Sequence, residues 1–186
     1  MVLYRQANGV DNRKLEPVGE AKSISRETTF AQDTLDRSVL QAILRYLCER
    51  VGSELRQQNK QAKSVELKLR YADFTTINRS HSSAEAIDSD DVIFAIAARL
   101  LDKALTGKHK PVRLLGVGTS NLVSDAKQLR LFDYSTQRQE RLDKAIDRIR
   151  KKYGFDSIQT GRTLALKEIF ESDSRGYLLN TPSLSG

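Results

Sequence analysis

Cysteine is nearly absent. Cys48 stands alone among 186 residues, so no intramolecular disulfide can form. Two histidines and this one thiol cannot supply an ordinary structural zinc site. Tryptophan is missing, aromatic residues reach only 6%, and prolines number 3. No apolar run approaches the roughly 18 residues of a membrane helix. Met1 is followed by Val2, Leu3, Tyr4 and Arg5 rather than by a basic leader and an apolar stretch. These absences imply a cytoplasmic, metal-free chain that is neither secreted nor membrane-bound. The 39% of hydrophobic residues can still build a modest core, since a chain of this size buries about 70% of its unfolded surface, enough for one domain with extensions.

Thirty-one Lys and Arg face 24 Asp and Glu, a net charge of +7 that favours an anionic partner, nucleic acid first. Residues 1–21 carry 3 basic and 3 acidic residues, 22–123 carry 16 and 12, and 124–186 carry 12 and 9. The surplus therefore lies in the middle and the tail.

Residues 1–21 show little periodicity and contain Asn8-Gly9 and Pro17, as a tether would. From Lys22 to Phe30 the chain is rich in β-branched residues and predicts a strand. Asp33 or Thr34 can cap a helix whose apolar positions Leu40, Ile43, Leu44, Leu47, Val51 and Leu55 follow helical spacing. Val65, Leu67, Leu69 and Tyr71 alternate with charged residues, a half-buried strand, and 74–80 follow closely enough to complete a hairpin. Ser89 begins a second helix through Ile93, Ile96, Ala97, Leu100, Leu101 and Leu105, with Gly107 as its stop. Residues 112–120 supply a fourth strand. The order β-α-β-β-α-β predicts an α+β fold, a four-stranded antiparallel sheet with two helices on one face and a free, basic opposite face. Beyond 123, Thr136 and Gln139 suggest a capping-box start to a helix with apolar Leu142, Ala145, Ile146 and Ile149 that ends at Gly154. Residues 155–186, with scattered Gly and Ser, suggest a poorly ordered tail.

Little here suggests catalysis. Asp88, Asp90 and Asp91 could hold magnesium, but carboxylates also suit the first turn of a helix, and nothing beside them completes a catalytic set. Gly116-Val-Gly118 lies within a strand rather than at a strand-to-helix turn, so it is no nucleotide fingerprint; glycines there let a backbone or a phosphate come close. His81 and His109 fall in loop-like stretches, and Cys48 lies on an apolar helix face as a buried, inert thiol. Lys22, Arg26, Lys68, Arg70, Arg79 and Arg113 all lie on predicted strands, where they suit phosphate, although strand cations also blunt sheet edges. Two alternatives remain: an RNA-binding sheet module, whose aromatic strand motif is not found here, and a metal-dependent nuclease built on the three aspartates.

The blocks 22–30, 65–80 and 112–118 with Ser120-Asn-Leu122 resemble, in order and separation, the little-finger domain of Y-family translesion DNA polymerases, the bacterial DNA polymerase IV subgroup above all. The resemblance implies a C-terminal piece of such an enzyme: residues 1–21 the end of the thumb and a tether, 22–123 the little finger, 124–134 a clamp-binding segment, 135–154 a helix, 155–186 a tail. It implies a monomer that grips primer-template DNA through its backbone. Lys22, Ser23, Ser25, Arg26, Arg70, Arg79, Arg113, Gly116 and Val117 occupy the matching positions. No catalytic residue, metal or cofactor is implied here, since the family's two-metal chemistry belongs to a palm domain that has no counterpart in these residues. Gln128-Leu-Arg-Leu-Phe132 resembles the pentapeptide by which bacterial polymerases enter a groove of the sliding clamp; Gln128, Leu129, Leu131 and Phe132 would be the anchors, with Arg130 a departure from the usual Ser or Asp.

Overall fold

The structure is a computed structural model, in which residues 2–10, 19–124 and 134–180 are described. The segment Gln128–Phe132 lies outside them. A short helix α1 (Val2–Ala7) occupies part of the stretch 1–21 expected to be a tether, of which residues 11–18 lie outside the described residues. Then come β1 (Ser23–Thr34), α2 (Arg37–Gln57), β2 (Lys60–Tyr71), β3 (Thr76–Ile87), α3 (Asp90–Leu105) and β4 (Val112–Ser124). The four strands form one antiparallel sheet in the order β1-β4-β2-β3, with α2 and α3 on one face. The fold class is the α+β arrangement expected.

The alternation in β2 explains this layering. Val65, Leu67, Leu69 and Tyr71 are buried beneath the helices, joined by Leu115 and Val117 of β4 and by the apolar positions of α2 and α3. Tyr71 lies at the core's edge and donates its hydroxyl to the Ala104 carbonyl at 2.8 Å, which satisfies its polar end. Cys48 is fully buried, and burial pushes its thiol well above the usual range.

The start of α2 differs from expectation. Asp36, rather than Asp33 or Thr34, caps α2, accepting from the Ser38 amide at 2.7 Å. Asp33 and Thr34 instead continue β1, which shifts register after Thr29 and pairs again at Thr34–Val112.

The largest departure is the C-terminal extension. Helix α4 (Tyr134–Tyr153) begins two residues ahead of Thr136, and the chain continues through 3-10 turns at Phe155–Ser157 and Leu164–Glu168 into a small hairpin of β5 (Ser172–Asp173) and β6 (Gly176–Tyr177). Far from a loose tail, residues 155–180 pack on α2: Leu166 and Tyr177 are buried, and Tyr46 stacks edge-on with Phe155 and Tyr177 at 5.6 and 5.0 Å. The Tyr177 amide donates to the Tyr46 hydroxyl at 2.8 Å. Gly176, at φ +108, allows this approach, since a Cβ there would lie 2.2 Å from that hydroxyl. The described part of the extension reaches the sheet, where the Thr29 amide of β1 donates to the Asn180 carbonyl at 2.8 Å.

Helix α4 is also rotated away from its apolar pattern, with Ala145 and Ile146 half-buried. Leu142 and Ile149 are exposed, while Asp143 and Arg150 are buried. The reason lies on α2, whose side away from the sheet carries Glu49 and Arg56. Arg56 reaches Asp147 at 2.6 Å and Asp90 at 2.9 Å; Arg150 reaches Glu49 at 2.5 Å and Asp90 at 3.7 Å. Fixed charges on one surface favour a complementary charged surface over an apolar stripe, because unpaired buried charges cost far more than unburied methyl groups. Asp90 is therefore no free first-turn carboxylate, and Asp91 is likewise taken, by Arg45 at 2.5 Å. Gly52 makes room, for a Cβ at that position would fall 2.1 Å from the Asp90 carboxylate.

Arg56→Met should destabilise the protein by about 3–5 kcal/mol, the usual cost of stranding buried partners, measured by urea unfolding. Burial pushes the Asp90 carboxyl up to about 7, against the Arg56 guanidinium and with help from Glu49 and Asp143. The folded state thus holds a proton that the unfolded state has released, so this stabilisation is complete below the unfolded value near 3.8 and is lost as pH rises through 7. Stability should fall by on the order of 1 kcal/mol per pH unit between about 5 and 7, and Asp90→Asn should remove that slope.

Candidate nucleic-acid interface

The helix-free face of the sheet is built by strand alternation and register. Ser23, Ser25, Glu27 and Thr29 of β1 stand in line with Gly116, Gly118 and Ser120 of β4, then with Ser64, Glu66, Lys68 and Arg70 of β2 and Thr76, Asn78, Ser80 and Ser82 of β3. Two glycines on an inner strand leave a trough. Gly116 faces Glu27 on one side and Lys68 on the other, and these two side chains meet across it at 2.8 Å. Gly118 lies between Ser25 and Glu66, and Glu66 accepts from the Ser120 hydroxyl at 2.7 Å. The result is an open groove of about 580 Å³, floored by Gly116 and Gly118.

The groove is polar rather than strongly basic, which revises the expectation of a basic face. Lys68 and Arg70 stand against Glu27 and Glu66, and hydroxyl and amide groups fill the remainder. Arg70 donates to the Thr76 hydroxyl at 2.9 Å, which sets its guanidinium flat along the sheet.

The sequence-selected residues divide. Ser23, Ser25, Arg70 and Gly116 are on the open face, and Lys22 is exposed just before β1. Arg26 has the opposite parity and pairs with Glu54 of α2 at 2.5 Å. Val117 buries its side chain in the core, so only its backbone reaches the groove. Arg79 is exposed on the edge strand but sits opposite Leu67, on the helix side. Arg113, at the irregularity between Val112 and Leu114, pairs with Asp33 at 3.0 Å and lies 4.7 Å over the ring of Phe74. That ring is exposed at the tip of the β2–β3 hairpin, where Lys110 and the Thr75 amide hold the Asp73 carboxyl down at about 2. Arg26 and Arg79 nonetheless belong to the groove's lining; Lys68 and Gly118, read from the strands but outside the set the resemblance implies, line it too, as do Asn78 and Ser80, which the sequence did not single out. Period-two alternation places Lys68 beside Arg70, and that signal alone identifies it.

Residues 21–131 match the impB/mucB/samB family C-terminal domain. A DNA polymerase IV of Dehalococcoides mccartyi is 46% identical over 168 residues, 90% of this chain and 43% of that protein. One from Desulfatibacillum aliphaticivorans is 37% identical over 85% of the chain and 41% of its own length. The chain thus spans less than half the length of these relatives. Among solved structures, an insertion ternary complex of Dbh DNA polymerase aligns over 66% of the chain and 35% of its own, with a TM-score of 0.50 and 22% identity, a likeness of fold. This chain belongs to the impB/mucB/samB C-terminal family, the little-finger domains of Y-family DNA polymerases, and within it to the DNA polymerase IV group.

A Cβ at position 116 would lie 2.9 Å from the Glu27 Cβ, an atom that moves only with its strand. Gly116→Ala should therefore destabilise the domain by about 1–3 kcal/mol, measured by chemical unfolding, and should part Glu27 from Lys68.

Proposed function

We propose that this chain grips primer-template DNA along its helix-free sheet face and tethers its parent polymerase to a sliding clamp. The observation that carries the reading is the glycine-floored polar groove on the one sheet face that no helix covers, in a member of this family. Contacts would run to phosphates: Ser23, Ser25, Asn78 and Ser80 as neutral donors, the backbone beside Gly116 and Val117 as a close approach, Lys68 and Arg70 as the cations. Glu27 and Glu66 would keep the groove from binding anions indiscriminately. Phosphate would draw Lys68 away from Glu27, an exchange that costs little because the pair is partly solvated. Arg26 and Arg113, already paired, would act by holding strands to their neighbours, and Arg79 would reach DNA only past the outer edge. Nucleotidyl transfer would reside in the remainder of the parent protein.

Each neutralised phosphate contributes about −0.9 to the slope of log affinity against log salt. Lys68→Ala with Arg70→Ala should flatten that slope by nearly two units on primer-template DNA without altering sequence preference, as read by fluorescence anisotropy across a salt series. An unchanged slope places the DNA elsewhere, and tighter binding to single-stranded RNA favours an RNA-binding module. For the clamp, Leu131→Ala with Phe132→Ala removes two anchors worth about 2 kcal/mol each as hot spots, so affinity for a purified bacterial clamp should fall more than about a hundredfold. DNA binding should not change.

A further inference from the structure

Helix α4 sorts its side chains by charge. Its acids Asp143 and Asp147 turn inward, to Gln139 and Arg56, while Arg138, Arg141, Lys144, Arg148, Lys151 and Lys152 turn outward. At about 100° per residue these six cations fall within a sector of about 140°. Over 138–153 Glu140 is the one acid left exposed, and among the described residues none of the six has an acidic partner within 4.0 Å. Solvated helix faces ordinarily mix signs, since Glu and Lys four residues apart stabilise each other. Here Asp147, four residues before Lys151 and three after Lys144, is spent on docking to Arg56, Arg148 has no acid three or four residues away, and Glu140 before Lys144 is the one exposed acid beside the stripe. The stripe extends about 20 Å, the axial length of about six base pairs, and exceeds the sheet groove in net positive charge, since there Arg26, Lys68 and Arg79 stand with Glu27 and Glu66. It also lies on the far side of α2 from that groove, because α4 docks through Glu49 and Arg56.

We infer that the outward stripe of α4 is a second nucleic-acid contact, which takes a phosphate backbone without reading bases. The inference rests on the reading of the chain as a DNA-binding part of a polymerase but not on the sheet groove. Guanidinium and ammonium groups on successive turns, with Glu140 the one exposed carboxylate among the described residues of the helix, suit a row of phosphates.

The test uses the full chain with a short duplex and with a single strand of equal length, each bound across a salt series. Arg141→Gln, Arg148→Gln and Lys151→Gln together should flatten the salt slope by two to three units, at about 0.9 per contact on duplex and about 0.7 on single strand. A drop on duplex, on single strand or on both supports the inference and identifies which backbone the stripe holds. Arg141→Lys with Arg148→Lys and an unaltered Lys151 should keep wild-type binding, and all variants should share one unfolding midpoint, since these side chains are exposed. If the Gln variant loses slope while Lys68→Ala with Arg70→Ala does not, the stripe stands and the groove reading fails. If the Gln variant keeps the wild-type slope on both nucleic acids, the inference is overturned. It is equally overturned if that variant loses only its binding to phosphatidylserine-containing vesicles.

Discussion

Arg56 joins three parts of the molecule at one point. From the back of α2 it holds Asp90 at the start of α3 and Asp147 on α4, and it donates to the Asp88 carbonyl at 2.7 Å. Arg150 answers it from α4 by reaching Glu49 and Asp90. Neither arginine can neutralise by losing a proton, so each must be surrounded by acceptors if it is to be buried. That requirement sets the orientation of α4, the glycine at position 52 and the inward turn of Asp143 and Asp147. The extension is thus held by these paired charges along α4 and by the apolar contacts of Phe155, Leu166 and Tyr177 beyond it.

The sheet's open face obeys a different constraint. An inner strand with glycine at alternate positions lets side chains on its two neighbours meet across it, so Glu27 and Lys68 pair over bare backbone. The groove is lined by a self-neutralised pair and by hydroxyls, and that composition suits weak, exchangeable contacts rather than a tight anion site. Charge and shape are thus separated in this protein: the concave surface is nearly neutral, while the surplus cations stand on a convex helix behind it.

The sheet and its two helices were legible in the sequence because each element carries one period. Val65 to Tyr71 alternate strictly, and Leu40 to Leu55 keep helical spacing. Positions on the open face were legible in part: Ser25 and Gly116 follow from strand membership, but telling Arg26 from Arg70 needs the register, which sets Arg26 opposite Val117 and Arg70 opposite Leu114. The extension was misread for a physical reason. Phe155, Leu166, Phe170 and Tyr177 follow no period because turns separate them, and α4 hides its docking surface in charged residues whose partners lie about a hundred positions away. Apolar patterning found the helix but not the face that it buries through its aspartates.

The bond from Thr29 to the Asn180 carbonyl acts at a sheet margin. Outer strands offer unpaired amides and carbonyls to any passing strand, and proteins guard them with charge, bulges or cover. Here the returning chain occupies part of β1, whose register also shifts nearby, while β3 keeps its outer rim but carries Arg79 and exposed polar residues along it. The segment that closes over the helices thus also covers part of a sheet edge that would otherwise be open to edge-to-edge pairing.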